Sequence, residues 1–156
     1  FHPVRLSPVR RWYAMTTPTG DVHGYAGDLS ADEAWRLLEG DDEAVLVDVR
    51  TPGEWQQTGV PDLTSLDRDV VLDPLQTFLG PNPDFLVALS EAGLAPGDGR
   101  TVVFLCRSGG RSIAAAQLAT SAGFGPAYNV LEGVEGHAGP GWAARGLPLT
   151  SYEAQR

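Results

Sequence analysis

The single cysteine of the chain, Cys106, lies in the stretch TVVFLCRSGGRSIAAAQLATSAG, where an apolar run ends and two glycines follow. A cysteine thiolate is a strong nucleophile, and positive charge or a helix N-terminus nearby stabilises it. Arg107 and Arg111 supply positive charge, and Gly109 and Gly110 leave room for a ligand. The pattern therefore favours a reactive thiol over the small buried hydrophobe that a lone cysteine usually is.

The residues after Cys106 are predicted to form an anion-binding loop. A tight turn just before a helix points several backbone N–H groups inward, and the positive end of the helix dipole adds to them. We assign the nucleophile to Cys106 and the loop to the residues that follow it, Arg107, Ser108, Gly109, Gly110, Arg111 and Ser112. The serine at the end of the loop is expected to cap the helix or to donate its hydroxyl to the anion.

A thiolate in such a loop can attack phosphorus or sulfane sulfur. Four residues separate Cys106 from Arg111, one fewer than in cysteine phosphatases, and Leu105 stands where those enzymes have histidine. A phosphate ester also needs an acid to protonate its leaving alkoxide, whereas sulfite leaves without that help. The sequence favours sulfur transfer from a small anionic donor such as thiosulfate. A cysteine phosphatase or arsenate reductase on the same scaffold, and a sulfur-carrier or protein-binding module without turnover, are the alternatives.

Strands and helices alternate along the chain. The apolar runs at 44–50, 101–105 and 127–131 are typical of buried parallel strands. Helices are predicted at 30–40, 52–59, 83–94 and 111–123, with short strand pieces near 60–66 and 70–72 and a helical turn at 142–145. This order predicts an α/β fold, a three-layer α/β/α sandwich with a central, mostly parallel sheet. Ligands of such sheets bind at the carboxyl ends of the strands, where Cys106, Asp48 and Arg50 are all expected.

The composition is that of one folded domain. The chain has 156 residues, of which 42% are hydrophobic and 20% charged. We predict an N-terminal extension at 1–24 and a single domain at 25–156. A net charge of −9 argues against nucleic acid, and the chain has neither an apolar run long enough for a membrane span nor a secretory signal, so we expect a cytoplasmic protein. One cysteine and three scattered histidines give no metal site, and no cofactor is expected.

In three places, in the same order, the chain resembles the rhodanese family of single-domain sulfurtransferases. The matching stretches are VDVRTPGEWQQTG at 47–59, CRSGGRS at 106–112, and NVLEGVEG with GWAARGLPL at 129–149. The resemblance covers roughly 29–149 and implies a rhodanese-like sandwich in which Cys106 carries a persulfide and passes its sulfur to a thiol or protein acceptor. It also implies that Asp48 and Arg50 support the loop rather than take part in the chemistry.

The chain departs from the family at the expected rim of the pocket. Val60, Pro61, Asp62 and Leu63 replace the usual Ile-Pro-Gly-Ala, and the glycine-rich segment 133–142 is longer than in relatives. The acceptor preference of relatives is therefore not carried over.

Four other side chains receive structural assignments. Glu54 is interpreted as a first-turn helix acid rather than a catalytic carboxylate. Phe78 and Leu79 are expected to pack, and His137 is expected to be a solvated loop residue.

Overall fold

A computed structural model describes residues 23–153 of the chain, so almost all of the predicted extension at 1–24 lies outside the described residues. The helices of the described part are α1 (Ala31–Gly40), α2 (Pro52–Thr58), α3 (Phe85–Glu91) and α4 (Gly110–Ser121). Its strands are β1 (Gly27–Leu29), β2 (Val45–Asp48), β3 (Val60–Pro61), β4 (Val71–Leu72), β5 (Gln76–Thr77), β6 (Gly80–Pro81), β7 (Val102–Leu105), β8 (Ala127–Val130) and β9 (Leu149–Thr150). None of the helices in residues 23–153 is long and apolar enough to cross a membrane.

The central sheet has five parallel strands in the order β1-β8-β7-β2-β4. All four residues of β7 are buried, as expected for a strand covered on both faces. Asp48 lies opposite Leu105 in the register, so β2 and β7 end at the same edge of the sheet. The predicted parallel sheet is confirmed, and it brings the end of β2 beside the cysteine.

Helices cover both faces of the sheet. On one face α1 contributes Leu37 and Leu38 to a core that includes Trp142. On the other face Phe85 of α3 and Ala115 of α4 pack in a second core. The three-layer α/β/α architecture is therefore as predicted.

Two of the helix starts follow directly from their sequences. Ser30 and Glu33 form a capping box at α1, and Thr51 and Glu54 form another at α2. In each box the hydroxyl accepts an N–H and the carboxylate accepts the N–H of the capping residue, so two free donors gain partners. Gly59 closes α2 with a φ of 80°.

The structure differs from the sequence prediction in three places: strand β1, the segment 60–66 and the start of α4. Strand β1 was not predicted, because three residues carry too little periodicity, and it gains its place by pairing with β8. The segment predicted as strand at 60–66 forms β3 and then a 3-10 turn at Thr64–Leu66. Helix α4 begins at Gly110 after Gly109, so Ser112 does not cap it.

The packing expected for Phe78 and Leu79 is wrong. The two side chains lie at the tip of the β5–β6 hairpin and are 102% and 92% exposed. A two-residue turn between two-residue strands projects from the domain, so these side chains have no surface to pack against.

Candidate active site

The predicted nucleophile directly follows β7. The residue before it, Leu105, pairs with Asp48, and the Leu105 carbonyl accepts the Val49 N–H at 2.9 Å. Cys106 is 1% exposed and faces the core formed with α3 and α4. The thiol thus lies at the carboxyl edge of the sheet, beneath the loop that leads into α4.

The loop turns its backbone N–H groups toward the sulfur. Gly109 and Ser112 donate N–H groups to Sγ of Cys106 at 3.1 Å and 3.4 Å. Gly109 has a φ of 98°, and a Cβ there would overlap the carbonyl oxygen of Leu131. Only glycine fits this position, and its conformation directs the N–H at the sulfur. Two backbone donors at the start of α4 favour negative charge on Sγ.

The segment after β8 holds the loop from the other side. Val134 donates its N–H to the carbonyl of Cys106, and Glu135 donates to the carbonyl of Arg107, both at 2.9 Å. Gly133, with a φ of 67°, packs against the Arg107 backbone so closely that a Cβ would overlap it. The cysteine loop is therefore fixed by main-chain contacts from a second loop.

The two arginines of the loop have acidic partners. Arg111 binds Glu54 of α2 through two nitrogens at 2.6 Å and 2.8 Å. This contact is the main reason why the pKa of Glu54 is lowered to about 2. Arg107 is 62% exposed and pairs with Glu135 at 3.1 Å. Arg111 faces the site and Arg107 faces solvent.

Asp48 and Arg50 are fully buried and paired with each other. The Arg50 Nη2 lies 2.8 Å from Oδ2 of Asp48. Arg50 also donates to Thr58 Oγ1 at 2.6 Å and to the Gly59 carbonyl at 2.8 Å, which are at the end of α2. These contacts fix α2, and it is Glu54 of α2 that reaches the loop. That Asp48 and Arg50 support the loop thus remains a prediction. By these contacts, the support would act through α2.

Ser112 belongs to a chain of polar contacts that the sequence did not suggest. Its hydroxyl lies 3.1 Å from Sγ of Cys106 and donates to Oδ1 of Asn129 on β8. The Asn129 amide donates to Asp28 of β1 at 3.0 Å, and Asp28 also accepts from Tyr25 at 2.9 Å. A polar residue inside the apolar run of β8 was the one signal that could have pointed to this chain.

A cleft of about 230 Å³ opens beside the loop. It is lined by Ser108, Gly109, Gly110, Ile113, Leu131 and His137. The expected loop position of His137 is thus correct, and the side chain also borders the cleft. The cleft lies against the loop that follows Cys106, whereas Cys106 itself is 1% exposed and is not among the residues that line it.

Asp73, which the sequence did not single out, lies at the same edge of the sheet. It follows β4 and is 1% exposed, and its Oδ2 has no hydrogen-bond partner among the described residues. Burial raises the pKa of Asp73 to about 7. Elsewhere in residues 23–153, no three His, Cys, Asp or Glu side chains are grouped so that they could hold a metal ion.

Comparison with known proteins places this geometry in a family. A family model described as the STR4 middle domain matches residues 26–155. The crystal structure of Rv0390 from M. tuberculosis is 48% identical, covers 82% of this chain and 99% of its own, and superposes with a TM-score of 0.72.

Some of the curated relatives carry descriptive names. The thylakoid rhodanese-like protein of rice, which is chloroplastic, is 35% identical over 80% of this chain, but the match spans only 25% of that longer protein. A protein of Allochromatium vinosum named sulfurtransferase is 29% identical over 81% of this chain and 96% of its own length. The chain belongs to the STR4 middle-domain family, a family of rhodanese-related proteins.

Proposed function

We propose that the chain is a sulfurtransferase that carries sulfur on Cys106. The thiolate attacks the outer sulfur of a sulfane donor such as thiosulfate, a new S–S bond forms, and sulfite leaves with the electron pair of the broken bond. A thiolate of a small molecule or protein, or cyanide in the test tube, then attacks the terminal sulfur of the persulfide. The Cys106 thiolate leaves with its electron pair and is ready for another cycle.

The observation that carries this proposal is the pair of backbone donors on the sulfur. The N–H groups of Gly109 and Ser112 at 3.1 Å and 3.4 Å stabilise the anionic form of the sulfur that attacks and leaves in each transfer. Fixed dipoles of this kind stabilise developing charge without having to reorganise during the reaction. The sulfurtransferase name of the Allochromatium relative supports the same conclusion.

The arginine of the loop argues against phosphate chemistry. A phosphatase loop uses its arginine to bind the equatorial oxygens of the phosphoryl group. Here both terminal nitrogens of Arg111 are bound by Glu54. A phosphate monoester would have to displace a carboxylate from a two-point ion pair before it could bind.

The acids near the loop are also unsuited to phosphate esters. Glu54, with a pKa of about 2, is ionised at neutral pH and cannot protonate an alkoxide. Asp73 can be protonated near neutrality, but it is buried and follows β4, which lies beyond β2 from the cysteine strand. Sulfite needs no such acid, and this supports sulfur transfer over the phosphatase and arsenate reductase alternatives.

The cleft beside the loop is relevant to the choice of sulfur acceptor. A cleft of about 230 Å³ has room for a small thiol or the tip of one protein side chain. We therefore propose a small thiol or a protein cysteine presented on an exposed segment as the acceptor. The cytoplasmic location stays a prediction from the sequence.

The test is a comparison of substrates on one protein preparation. We expect thiocyanate from thiosulfate and cyanide with the wild type, none with Cys106→Ser, and no hydrolysis of an aryl phosphate by either. Hydrolysis of the aryl phosphate without thiocyanate formation would overturn the proposal in favour of the phosphatase. Sulfur loading of Cys106 without transfer to cyanide or to any thiol tested would instead indicate the carrier module.

A further inference from the structure

A chain of hydrogen bonds leads from the nucleophile to the edge of the sheet. Cys106 Sγ lies 3.1 Å from the hydroxyl of Ser112, and that hydroxyl donates to Oδ1 of Asn129. The amide nitrogen of Asn129 donates to Oδ1 of Asp28 at 3.0 Å, and the Tyr25 hydroxyl donates to the same oxygen at 2.9 Å. Ser112 and Asn129 are fully buried, and the parallel register places Asn129 directly beside Asp28.

The carboxylate at the far end fixes the direction of the whole chain. An ionised carboxylate only accepts hydrogen bonds, so the NH₂ group of Asn129 must face Asp28 and its oxygen must face Ser112. The serine hydroxyl has one hydrogen, and it donates that hydrogen to Oδ1 of Asn129. The contact between Ser112 and Cys106 is then made by the thiol hydrogen, with the serine oxygen as acceptor.

This direction matters for the sulfur because a thiolate has no hydrogen to donate. When Cys106 ionises, the Ser112 hydroxyl can turn to the sulfur only by leaving the oxygen of Asn129. That oxygen is buried, and an acceptor buried without a partner is costly. The chain therefore favours the thiol, whereas the backbone N–H groups of Gly109 and Ser112 favour the thiolate.

We propose that Asp28 is a positioning residue for Cys106, which acts through Asn129 and Ser112 to direct the serine hydroxyl away from the sulfur and so opposes the stabilisation of the thiolate by the backbone N–H groups. The proposal rests on the proposed function in that Cys106 is the nucleophile. Tyr25 supports the arrangement, because burial and the bond to Asp28 raise its pKa to about 12 and keep it a donor. Asp28 itself is exposed, so solvent screens its direct charge effect on the sulfur.

Other charged groups lie on the elements around the loop and are not part of this chain of hydrogen bonds. They are Arg107 and Glu135 in the two loops, Arg111 of α4 with Glu54 of α2, Asp48 and Arg50 at the end of β2, Asp73 after β4, and His137 beside the cleft. A variant at Asp28 leaves all of them in place.

The test is a pH titration of the thiolate ultraviolet absorbance in Asp28→Asn. The carboxamide placed at position 28 can donate as well as accept, so Asn129 is free to turn over and donate to Ser112, whose hydroxyl then donates to the sulfur. We expect the midpoint to fall by about one pH unit, the usual size of one hydrogen bond to an ionised group. The same titration of Cys106→Ser, the chain having a single cysteine, is subtracted as background.

The control repeats the substitution in a Ser112→Ala background. There the hydroxyl that transmits the effect is gone, so Asp28→Asn is expected to leave the midpoint unchanged. An equal downward shift in both backgrounds would show a direct charge effect and overturn the proposal, as would an unchanged or raised midpoint in the single variant. Because the absorbance needs no sulfur substrate, failure here is distinguishable from failure of the proposed sulfur transfer.

Discussion

Glu54 shows how one side chain serves both a helix and a reactive loop. It completes the capping box of α2 with Thr51 and binds Arg111 with both carboxylate oxygens. The first role is readable from the spacing of Thr51 and Glu54, although we interpreted Glu54 from the sequence only as a first-turn acid that favours the helix dipole. The second role joins residues 57 positions apart, which no local pattern reports.

The ion pair of Glu54 predicts a pH-dependent loss of stability in Glu54→Gln. The pKa of Glu54 is lowered from 4.5 to about 2, so its contribution is complete above the first value and is lost as the pH falls through the second. Since glutamine retains the capping box, we expect a loss of about 1–2 kcal/mol in unfolding free energy at neutral pH that shrinks under acid.

Urea unfolding at several pH values measures this difference. Glu33→Gln is the matched control, since Glu33 has the same capping-box position in α1 and no ion-pair partner among the described residues. A loss as large in Glu33→Gln, or one that does not shrink in acid, would contradict the assigned role of the Glu54–Arg111 pair.

For Asp73 we predict the opposite pH dependence of stability. Burial raises its pKa from 3.8 to about 7, so its ionised form destabilises the fold and wild-type stability falls as the pH rises across that range. Asp73→Asn removes the charge and is expected to gain about 1–2 kcal/mol above neutral pH and nothing in acid. Denaturant unfolding below and above this pH range measures the difference in unfolding free energy. An Asp73→Asn variant that is less stable than the wild type at high pH would contradict the prediction.

At the scale of elements, the loop before α4 depends on one glycine far more than on its neighbour. Gly109 has a φ of 98°, and a side chain there would overlap Leu131. Gly110 begins the helix, and a side chain at this position would point into open space. The two adjacent residues, which look equivalent in sequence, therefore form a matched pair.

We expect Gly109→Ala to cost about 2 kcal/mol or more and to slow the loading of Cys106 with sulfur, because the N–H aimed at the sulfur must move. Gly110→Ala should be within about 0.5 kcal/mol of the wild type in unfolding free energy and should slow loading less than Gly109→Ala does. Chemical denaturation and the rate of sulfur loading report both effects. Equal effects of the two substitutions would show that the loop does not depend on the Gly109 conformation.

The elements that the sequence predicts well are those with strong local signals. The apolar run of β7 and the capping residues Ser30 and Thr51 determine their elements largely by themselves. Strand β1 and the polar contacts of Asn129 depend instead on neighbours distant in the chain. The position of the Cys106 loop between β7 and α4 was predictable because glycines and arginines cluster there in sequence, whereas the partners of Arg111 and Ser112 were not.

At the scale of the molecule, the hairpin of β5 and β6 stands outside the cores on which stability depends. Phe78 at its tip is 102% exposed, whereas Phe85 in α3 is 1% exposed and packs 6.1 Å from the ring of Phe104. Phe78→Ala is expected to change the unfolding free energy by less than about 0.5 kcal/mol. Phe85→Ala is expected to cost about 3–5 kcal/mol. Thermal and urea unfolding would contradict this if the hairpin variant were the less stable of the two.

The measurement that tests the central claim most directly is the intact mass of the protein after incubation with thiosulfate, with wild type and Cys106→Ser compared. We predict that the wild type alone gains the mass of a single sulfur atom and loses it on addition of cyanide. An unchanged wild-type mass with thiosulfate and with a polysulfide donor, or an equal gain in Cys106→Ser, would contradict the assignment of a sulfur-carrying nucleophile to Cys106.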